Sequence, residues 1–209
     1  ILTDRHFFYT SGLHGSAYVN LRAAAHDAQL FDEIAFAMSD MLTGYEIDVI
    51  VGPETLGRTL STLIPAYSPG LPGVWCDIKE EKYAGKVIRR WADFSPKLDF
   101  GRLIQPGMRV AIVDDLLTTG GSIKLTADLL TSLGAEITVA SAVVRRSPDV
   151  TAEHCGAQAL EYLIDLPGFV TYTEEECKAV GPCSQRVPMV LRPGHGHEWI
   201  KQNPDYPVA

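Results

Sequence analysis

The sequence is short of the features that mark secreted, membrane-spanning and nucleic-acid-binding proteins. Its 209 residues include only four cysteines and no CxxC pair. No apolar run approaches the roughly 18 residues that a membrane-spanning helix needs. Lysine and arginine number 18 against 26 acidic residues, for a formal net charge of -8 at pH 7. These scarcities argue against a disulfide-rich scaffold, a membrane partner and a nucleic-acid partner, and they favour a cytoplasmic enzyme or binding protein with reduced thiols.

The cysteines allow one hypothesis of a metal site. Cys177 and Cys183 lie upstream of His195 and His197, and cysteine with histidine is a common ligand set for structural zinc. The spacing of these residues, however, matches no standard zinc pattern. Ordinary loop residues are therefore the favoured interpretation of the four positions.

Apolar periodicity divides most of the chain into alternating strands and helices. This alternation predicts an α/β fold, with a central, mainly parallel sheet flanked by helices. The predicted helices cover His26–Leu42, Thr55–Ile64 and Ser122–Leu133. The predicted strands cover Asp48–Val51, Val74–Ile78, Val87–Trp91, Arg109–Val113, Ile137–Val144 and Ala159–Ile164.

Three segments are predicted along this fold. Residues 1–44 form an N-terminal segment with a helix, and residues 45–166 form the core of the fold. Residues 167–209 form a tail with little regular structure, because glycines, prolines and an acidic triplet replace the periodic pattern there. We expect the N-terminal segment and the tail to form a small hood over the core.

The most informative stretch is VAIVDDLLTTGGS, from Val110 to Ser122. An apolar strand runs into Asp114 and Asp115, which need cationic or hydroxyl partners because adjacent carboxylates repel. The glycines and hydroxyls that follow lead into a helix N-terminus, which suits a phosphate group. The spacing is neither that of a Walker A loop nor that of GxGxxG. The stretch predicts a sugar-phosphate site, with a plain strand–turn–helix as the alternative.

This stretch closely resembles the phosphoribosyl pyrophosphate signature of the type I phosphoribosyltransferase family. Other segments are similar to the orotate phosphoribosyltransferases within that family, and the resemblance covers nearly the whole chain. The segment His6–Asn20 looks like the N-terminal segment of these enzymes, whose pattern is aromatic-x-x-SG-x-x-S-x-x-Y. Val51–Gly57 is similar to their pyrophosphate loop, and Val143–Ser147 lies where the family places a strand-end arginine. Glu175–Pro188 is similar to the C-terminal segment of many bacterial members.

The resemblance implies transfer of the 5-phosphoribosyl group from phosphoribosyl pyrophosphate to a nitrogen of a base, with Mg²⁺ as cofactor. It implies that Asp114 and Asp115 hold the ribose 2- and 3-hydroxyls and the metal, directly or through water. It assigns the 5-phosphate to a loop made of Thr118, Thr119, Gly120, Gly121 and Ser122. It assigns the diphosphate to the loop residues Glu54, Thr55, Leu56 and Gly57, where a strained peptide is typical.

The departing diphosphate needs positive charge, and the charged stretch after the predicted strand Val74–Ile78 offers it. The resemblance implies that this stretch is a flexible catalytic loop in which Lys79 and Lys82 match the K-E-x-K spacing of the family. Two arginines, Arg89 and Arg90, are predicted to contact phosphoribosyl pyrophosphate as well. A solvated charged hairpin is the alternative, and Ile78 and Ala84 depart from the residues of the better-studied orotate enzymes.

Orotate carries a carboxylate, so a pocket for it needs a cation or several N–H donors. Arg146 matches the strand-end arginine of the family, and Tyr18 matches the tyrosine of the N-terminal pattern. These two residues are the predicted base-binding residues. Thr10 and Arg145 stand where the family usually has lysine and an acidic residue, and they leave the acceptor base open.

The leading prediction is therefore an enzyme that makes orotidine 5-phosphate in de novo pyrimidine synthesis. One alternative keeps the chemistry and changes the acceptor to a purine base. Another is a regulatory protein that senses phosphoribosyl pyrophosphate without turning it over, although the acidic balance of the chain counts against nucleic-acid binding. The resemblance also implies a homodimer.

Overall fold

The computed structural model describes residues 1–9, 11–83, 86–166 and 169–209. The chain forms two compact units: Ile1–Ala23 together with Pro167–Ala209, and Ala24–Leu166. The helix Ala28–Leu42, which lies in the predicted N-terminal segment, belongs to the larger unit. Within the described ranges, no helix is long and apolar enough to cross a membrane.

The strands and helices alternate along the larger unit, as the periodicity predicts. The strands are β1 (Phe7–Phe8), β2 (His14–Gly15), β3 (Val49–Pro53), β4 (Gly73–Tyr83), β5 (Lys86–Asp93), β6 (Arg109–Leu117), β7 (Glu136–Arg145), β8 (Ala159–Asp165) and β9 (Thr171–Tyr172). The α-helices are α1 (Leu21–Ala24), α2 (Ala28–Leu42), α3 (Leu56–Leu63), α4 (Gly121–Ser132), α5 (Ala152–Cys155), α6 (Glu174–Val180) and α7 (Gly196–Gln202). Single turns of 3-10 helix occur at Ile64–Ala66 and Phe100–Arg102.

The larger unit is built on a six-stranded sheet with the order β5-β4-β3-β6-β7-β8. Every neighbouring pair is parallel except β4 and β5, which form an antiparallel hairpin. The predicted α/β fold with a mainly parallel sheet is therefore confirmed. The strand order reverses at β3, because β4 lies on one side of β3 and β6 lies on the other.

The central strands are apolar along nearly their whole length because both faces of the sheet are covered. All of β3 is buried, and so are residues 110–114 of β6. The α2 helix buries Phe31, Ala35, Met38 and Leu42, a spacing of three and four residues that places one face toward the core. The side chain of Asp27 accepts the Leu30 N–H at 3.1 Å and caps the start of that helix.

Several predicted elements are longer in the structure than in the sequence analysis. The β6 strand continues past Val113 to Leu117 because Leu116 and Leu117 still pair with Val144 and Arg145 of β7. The β4 strand continues past Ile78 to Tyr83 because its polar half pairs with β5. Cross-strand pairing thus extends these strands through residues whose polarity predicts a loop.

The smaller unit contains a three-stranded antiparallel sheet with the order β1-β2-β9, together with α6 and α7. The prediction of little regular structure after Pro167 is wrong for this part of the chain. The acidic triplet begins α6, where the Thr173 hydroxyl accepts the Glu176 N–H at 3.2 Å and the Glu176 carboxylate accepts the Thr173 N–H at 2.8 Å. This reciprocal pair is a capping box, and it starts a helix that apolar periodicity does not reveal.

Candidate active site

The site predicted from the sequence lies at the carboxyl ends of β3 and β6. These strands are parallel neighbours, so the segments that follow them begin at the same edge of the sheet. The strand order also reverses between them. Ligands of open parallel sheets bind at such a reversal, because the loops diverge there and leave a crevice.

The segment after β6 forms one wall of a cavity of about 180 Å³. Helix α4 begins at Gly121, so backbone N–H groups of its first turn lack partners within the helix and can face an anion. The cavity is lined by Arg90, Asp114, Leu116, Leu117, Thr118, Thr119, Gly120, Gly121, Ser122 and Ile123. The five residues predicted to bind the 5-phosphate thus line one cavity together with a carboxylate and a guanidinium.

The adjacent carboxylates of β6 differ in their surroundings. Asp114 is 7% exposed, and its Oδ1 accepts the Asp115 N–H at 2.9 Å. Burial, followed by the charge of Asp115, raises the pKa of Asp114 well above its ordinary value. Carboxylate oxygens are the ligands that Mg²⁺ prefers, and a cation would relieve the repulsion between the two groups. The donor set therefore fits the metal that the family resemblance implies.

The segment after β3 approaches β6 closely at Gly57. A Cβ atom built on Gly57 would lie 2.8 Å from the Val113 carbonyl oxygen and 3.2 Å from Asp114 Oδ1. Only glycine fits at this separation, and α3 therefore starts against the strand that carries the aspartates. The peptide bond between Glu54 and Thr55 is cis. The residues predicted to bind the diphosphate thus lie in the segment that borders Asp114. They are Glu54, Thr55 and Gly57.

Arg58 fixes this segment to β4, although the sequence analysis did not single it out. Its guanidinium contacts Asp77 at 2.7 Å and Glu54 at 3.9 Å, and it lies 5.4 Å from the centroid of the Trp75 ring. Glu54 Oε1 also accepts the Ile78 N–H at 3.0 Å. The i, i+4 spacing of Glu54 and Arg58 is the sequence signal that could have identified the contact.

The cations predicted to act in catalysis or to bind phosphoribosyl pyrophosphate lie on the β4–β5 hairpin, and each has a partner on that hairpin. Lys79 pairs with Asp93, Lys82 with Glu80 at 3.4 Å, and Arg90 with Glu80 at 3.1 Å. Arg89 lies 5.2 Å from the centroid of the Trp91 ring. Of these four cations, Arg90 lines the cavity beside the β6–α4 segment. Ala84 lies outside the described residues.

The two predicted base-binding residues belong to different units. Arg146 follows β7 in the larger unit, is 6% exposed, and donates its backbone N–H to the Leu117 carbonyl at 2.8 Å. Arg145 instead forms a two-bond contact with Asp165, at 3.0 and 2.8 Å. Tyr18 lies in the smaller unit, where its ring packs 5.4 Å from that of Phe7. Thr10 lies outside the described residues.

The structure changes the metal-site hypothesis for the cysteines. Cys177 and Cys183 lie next to His6 and His14, and the ligand atoms of these four residues are all within 4.8 Å of one another. His195, which the sequence analysis considered with the cysteines, has its Nδ1 3.3 Å from Glu198 instead. His197 Nε2 lies 3.7 Å from the same carboxylate of Glu198.

Comparison with known proteins agrees with the observed fold. Residues 23–156 match the family model of the phosphoribosyl transferase domain. The orotate phosphoribosyltransferase of Thermotoga maritima is 28% identical over 187 residues, which cover 90% of this chain and 89% of that protein. The adenine phosphoribosyltransferase of Alkaliphilus metalliredigens is 34% identical over 131 residues, which cover 59% of this chain and 74% of that protein.

A solved structure extends the comparison to three dimensions. The crystal structure of Mycobacterium tuberculosis orotate phosphoribosyltransferase in complex with 5-phospho-alpha-D-ribosyl 1-diphosphate superposes with a TM-score of 0.53 at 22% identity. The match covers 79% of this chain and 90% of that chain. The chain therefore belongs to the type I phosphoribosyltransferase family and is a phosphoribosyltransferase, with a resemblance to the orotate enzymes that extends over nearly its whole length.

Proposed function

We propose that this enzyme transfers the 5-phosphoribosyl group from phosphoribosyl pyrophosphate to orotate, giving orotidine 5-phosphate and pyrophosphate. The observation that carries the proposal is the cavity at the carboxyl end of β6, where a carboxylate, three hydroxyl residues and a helix start converge. This combination suits a phosphorylated sugar, because carboxylates accept from hydroxyls and N–H groups donate to phosphate.

Different residues bind different parts of phosphoribosyl pyrophosphate. Asp114 and Asp115 accept hydrogen bonds from the ribose hydroxyls and hold Mg²⁺, while residues 118–122 bind the 5-phosphate. When bound, Mg²⁺ supplies positive charge that offsets the charge of the diphosphate. Backbone groups of residues 54–57 and the guanidinium of Arg90 face the same diphosphate. Since negative charge grows on the leaving diphosphate, donors and cations fixed in advance lower the barrier.

Orotate is favoured as the acceptor because a buried arginine follows β7. The guanidinium of Arg146 can form a charge-assisted pair with the carboxylate of orotate, whereas a purine base carries no carboxylate. The orotate relative also matches 90% of the chain, and the adenine relative matches 59%. A purine base remains the second candidate, since the adenine relative has the higher identity over the part it matches. Tyr18 is proposed as a second base contact.

The deciding experiment is a turnover assay with phosphoribosyl pyrophosphate, Mg²⁺ and a panel of orotate, adenine, hypoxanthine and xanthine. We expect the absorbance change of orotate consumption and release of one pyrophosphate per orotidine 5-phosphate formed. Turnover of a purine with none of orotate would overturn the orotate assignment. Binding of phosphoribosyl pyrophosphate without turnover of any base would instead favour the sensing alternative.

The place and assembly of the enzyme follow the same resemblance. We propose a homodimer in the cytoplasm, where its free thiols stay reduced. Light scattering coupled to size-exclusion chromatography measures the mass directly. A mass equal to that of a single 22.8 kDa chain at micromolar concentration would contradict the dimer.

A further inference from the structure

Four potential metal ligands meet in the interior of the smaller unit, and none of them is a residue of the proposed transferase site. They are His6, His14, Cys177 and Cys183, and none of them is more than 8% exposed. Their ligand atoms, two ring nitrogens and two sulfurs, all lie within 4.8 Å of one another. Cysteine and histidine with this mutual proximity form the S₂N₂ donor set that zinc takes in structural sites.

Three separations between sulfur and nitrogen donor atoms match the edges of a zinc tetrahedron. With Zn–N bonds of about 2.05 Å and Zn–S bonds of about 2.3 Å, a nitrogen and a sulfur ligand lie about 3.6 Å apart. Cys183 Sγ is 3.6 Å from His6 Nε2 and 3.6 Å from His14 Nδ1. Cys177 Sγ is 3.8 Å from His6 Nε2. The two nitrogens are 2.8 Å apart, so on binding they would separate by about half an ångström.

The surrounding groups orient two of these ligands. His6 Nδ1 donates to the Val187 carbonyl at 3.2 Å, which turns Nε2 toward the cluster. The Cys183 N–H donates to Cys177 Sγ at 3.2 Å, a contact that stabilises negative charge on sulfur. A metal-binding histidine usually donates the N–H that does not face the metal, as His6 does to Val187, and this donation fixes the tautomer and the ring orientation.

The loop between the cysteines is shaped to bring them together. Cys177 lies in α6, and Cys183 follows the turn at Gly181 and Pro182. A Cβ built on Gly181 would lie 2.9 Å from Cys177 Cα and 3.1 Å from its Sγ. Only glycine permits this approach. The tight turn lets two cysteines separated by five residues bind one metal ion, although standard zinc motifs have fewer residues between their cysteines.

We propose that His6, His14, Cys177 and Cys183 form a closed structural Zn²⁺ site. All four positions of the tetrahedron are filled by the protein, which leaves none for water or substrate. Thiolate ligands also make the site unsuited to Mg²⁺, which takes oxygen. The packed rings of Phe8, Trp199 and Tyr206 exclude water from the cluster.

The metal would join the two ends of the chain within the smaller unit. His6 and His14 come from the N-terminal segment, and the two cysteines come from the tail. Small units rarely hold together on their apolar core alone and often rely on a metal or a disulfide. Both cysteines are free thiols, so their sulfurs are available as metal ligands.

The test begins with the metal content of the full-length chain after dialysis, measured by mass spectrometry. We expect about one zinc per chain, and its loss in Cys183→Ser and in His14→Asn. The matched controls are Cys155→Ser and His195→Asn, and both should keep the zinc. Cys155 lies in the larger unit, and His195 is not a member of the cluster. Retention of zinc by Cys183→Ser together with His14→Asn would overturn the assignment.

A second measurement uses the unaltered chain, so it does not depend on the folding of the variants. Replacement of zinc by Co²⁺ should give the sulfur-to-cobalt charge-transfer band and the intense visible bands of a tetrahedral thiolate site. A wild-type chain that purifies without zinc and gives no such bands with Co²⁺ would overturn the proposal. A disulfide between Cys177 and Cys183 in freshly purified, zinc-free protein would do the same.

Discussion

Asp114 and Asp115 are adjacent in the sequence but differ in their exposure to water. Asp114 is the last residue of the continuously buried part of β6, while Asp115 is half-buried. The buried carboxylate has a raised pKa because of burial and the charge of its neighbour. Asp115 is the less buried of the two and is therefore the carboxylate better placed to accept hydrogen bonds from a substrate.

Replacement of Asp115 by asparagine should reduce kcat/KM by about 100-fold or more without unfolding the chain. The substitution keeps the shape of the side chain and removes the charge that would hold the ribose hydroxyls and Mg²⁺. Steady-state assays and circular dichroism measure the two effects separately. Asp40→Asn, at an exposed position of α2, is the matched control. Unchanged turnover in Asp115→Asn would mean that the carboxylates have another role.

Arg145 and Arg146 offer a test of the acceptor base at adjacent positions. We expect Arg146→Gln to raise the KM for orotate by roughly 10- to 100-fold, since a charge-assisted hydrogen bond contributes about 1.5–3 kcal/mol. The KM for phosphoribosyl pyrophosphate should change little. Arg145→Gln is the control, because that guanidinium pairs with Asp165. An equal loss in both variants would indicate a structural role for the pair.

At the scale of elements, the site depends on how closely the segment after β3 approaches β6. The contact is made by backbone, because Gly57 has no side chain to hold the two apart. Because the contact is closely packed, a side chain added at Gly57 would displace Asp114.

Gly57→Ala should therefore lower both turnover and the free energy of unfolding, the latter by about 1–3 kcal/mol. The added methyl group would have to displace the Val113 carbonyl or the Asp114 carboxylate. Urea unfolding and the turnover assay give the two measurements. Gly44→Ala is the control, because a Cβ built there meets nothing within 4 Å. A fully active and stable Gly57→Ala would contradict the close approach.

An ion pair connects the first residue of β6 to the start of β3. Asp48 accepts from the Arg109 backbone N–H at 2.8 Å and from its guanidinium at 3.0 and 2.9 Å. These hydrogen bonds lower the pKa of Asp48 from 3.8 to about 2. A lowered folded-state pKa means that the pair stabilises the fold above about pH 4 and loses its contribution as the pH falls toward 2.

Asp48→Asn should consequently be less stable than wild type at pH 7, with a difference that shrinks between pH 4 and pH 2. Urea unfolding midpoints at pH 7, pH 4 and pH 3 follow the difference. Asp40→Asn again serves as control and should show no such trend. A constant difference between wild type and Asp48→Asn at every pH would contradict the electrostatic origin.

At the scale of the whole molecule, the residues proposed to bind phosphoribosyl pyrophosphate and Mg²⁺ and the proposed zinc ligands lie in different units. The phosphate, diphosphate and metal-binding residues proposed for transfer lie in Ala24–Leu166, and the cysteine–histidine cluster lies in the unit made from the two ends of the chain. Ligands for the two sites can therefore be varied independently in experiments.

Phosphoribosyl pyrophosphate with Mg²⁺ should raise the thermal unfolding midpoint of the chain. A ligand that binds only the folded state contributes about 2.7 kcal/mol of stability at a concentration 100 times its Kd. Differential scanning fluorimetry with Mg²⁺, and with chelator in its place, separates the metal-dependent part. Asp115→Asn should shift less than wild type. No shift at millimolar ligand would contradict binding at this site.

The sequence by itself determined the fold class and the location of the segment that is proposed to bind phosphate. Apolar runs and helical periodicity are local properties, so Val110–Val113 and the helix after Gly120 can be recognised without knowledge of their neighbours. The motif after β6 is continuous in the chain, and for that reason its residues could be assigned before the structure was available.

The tertiary structure decided what depends on residues that are distant in the chain. The extension of β6 to Leu117 follows from pairing with β7, and the hairpin of β4 and β5 follows from pairing of polar residues. From the sequence, Cys177 and Cys183 with the nearby His195 and His197 are favoured as ordinary loop residues, whereas folding brings His6 and His14 to the sulfurs from more than 160 positions away. Side-chain contacts of this range are set by packing, and no local pattern in the sequence encodes them.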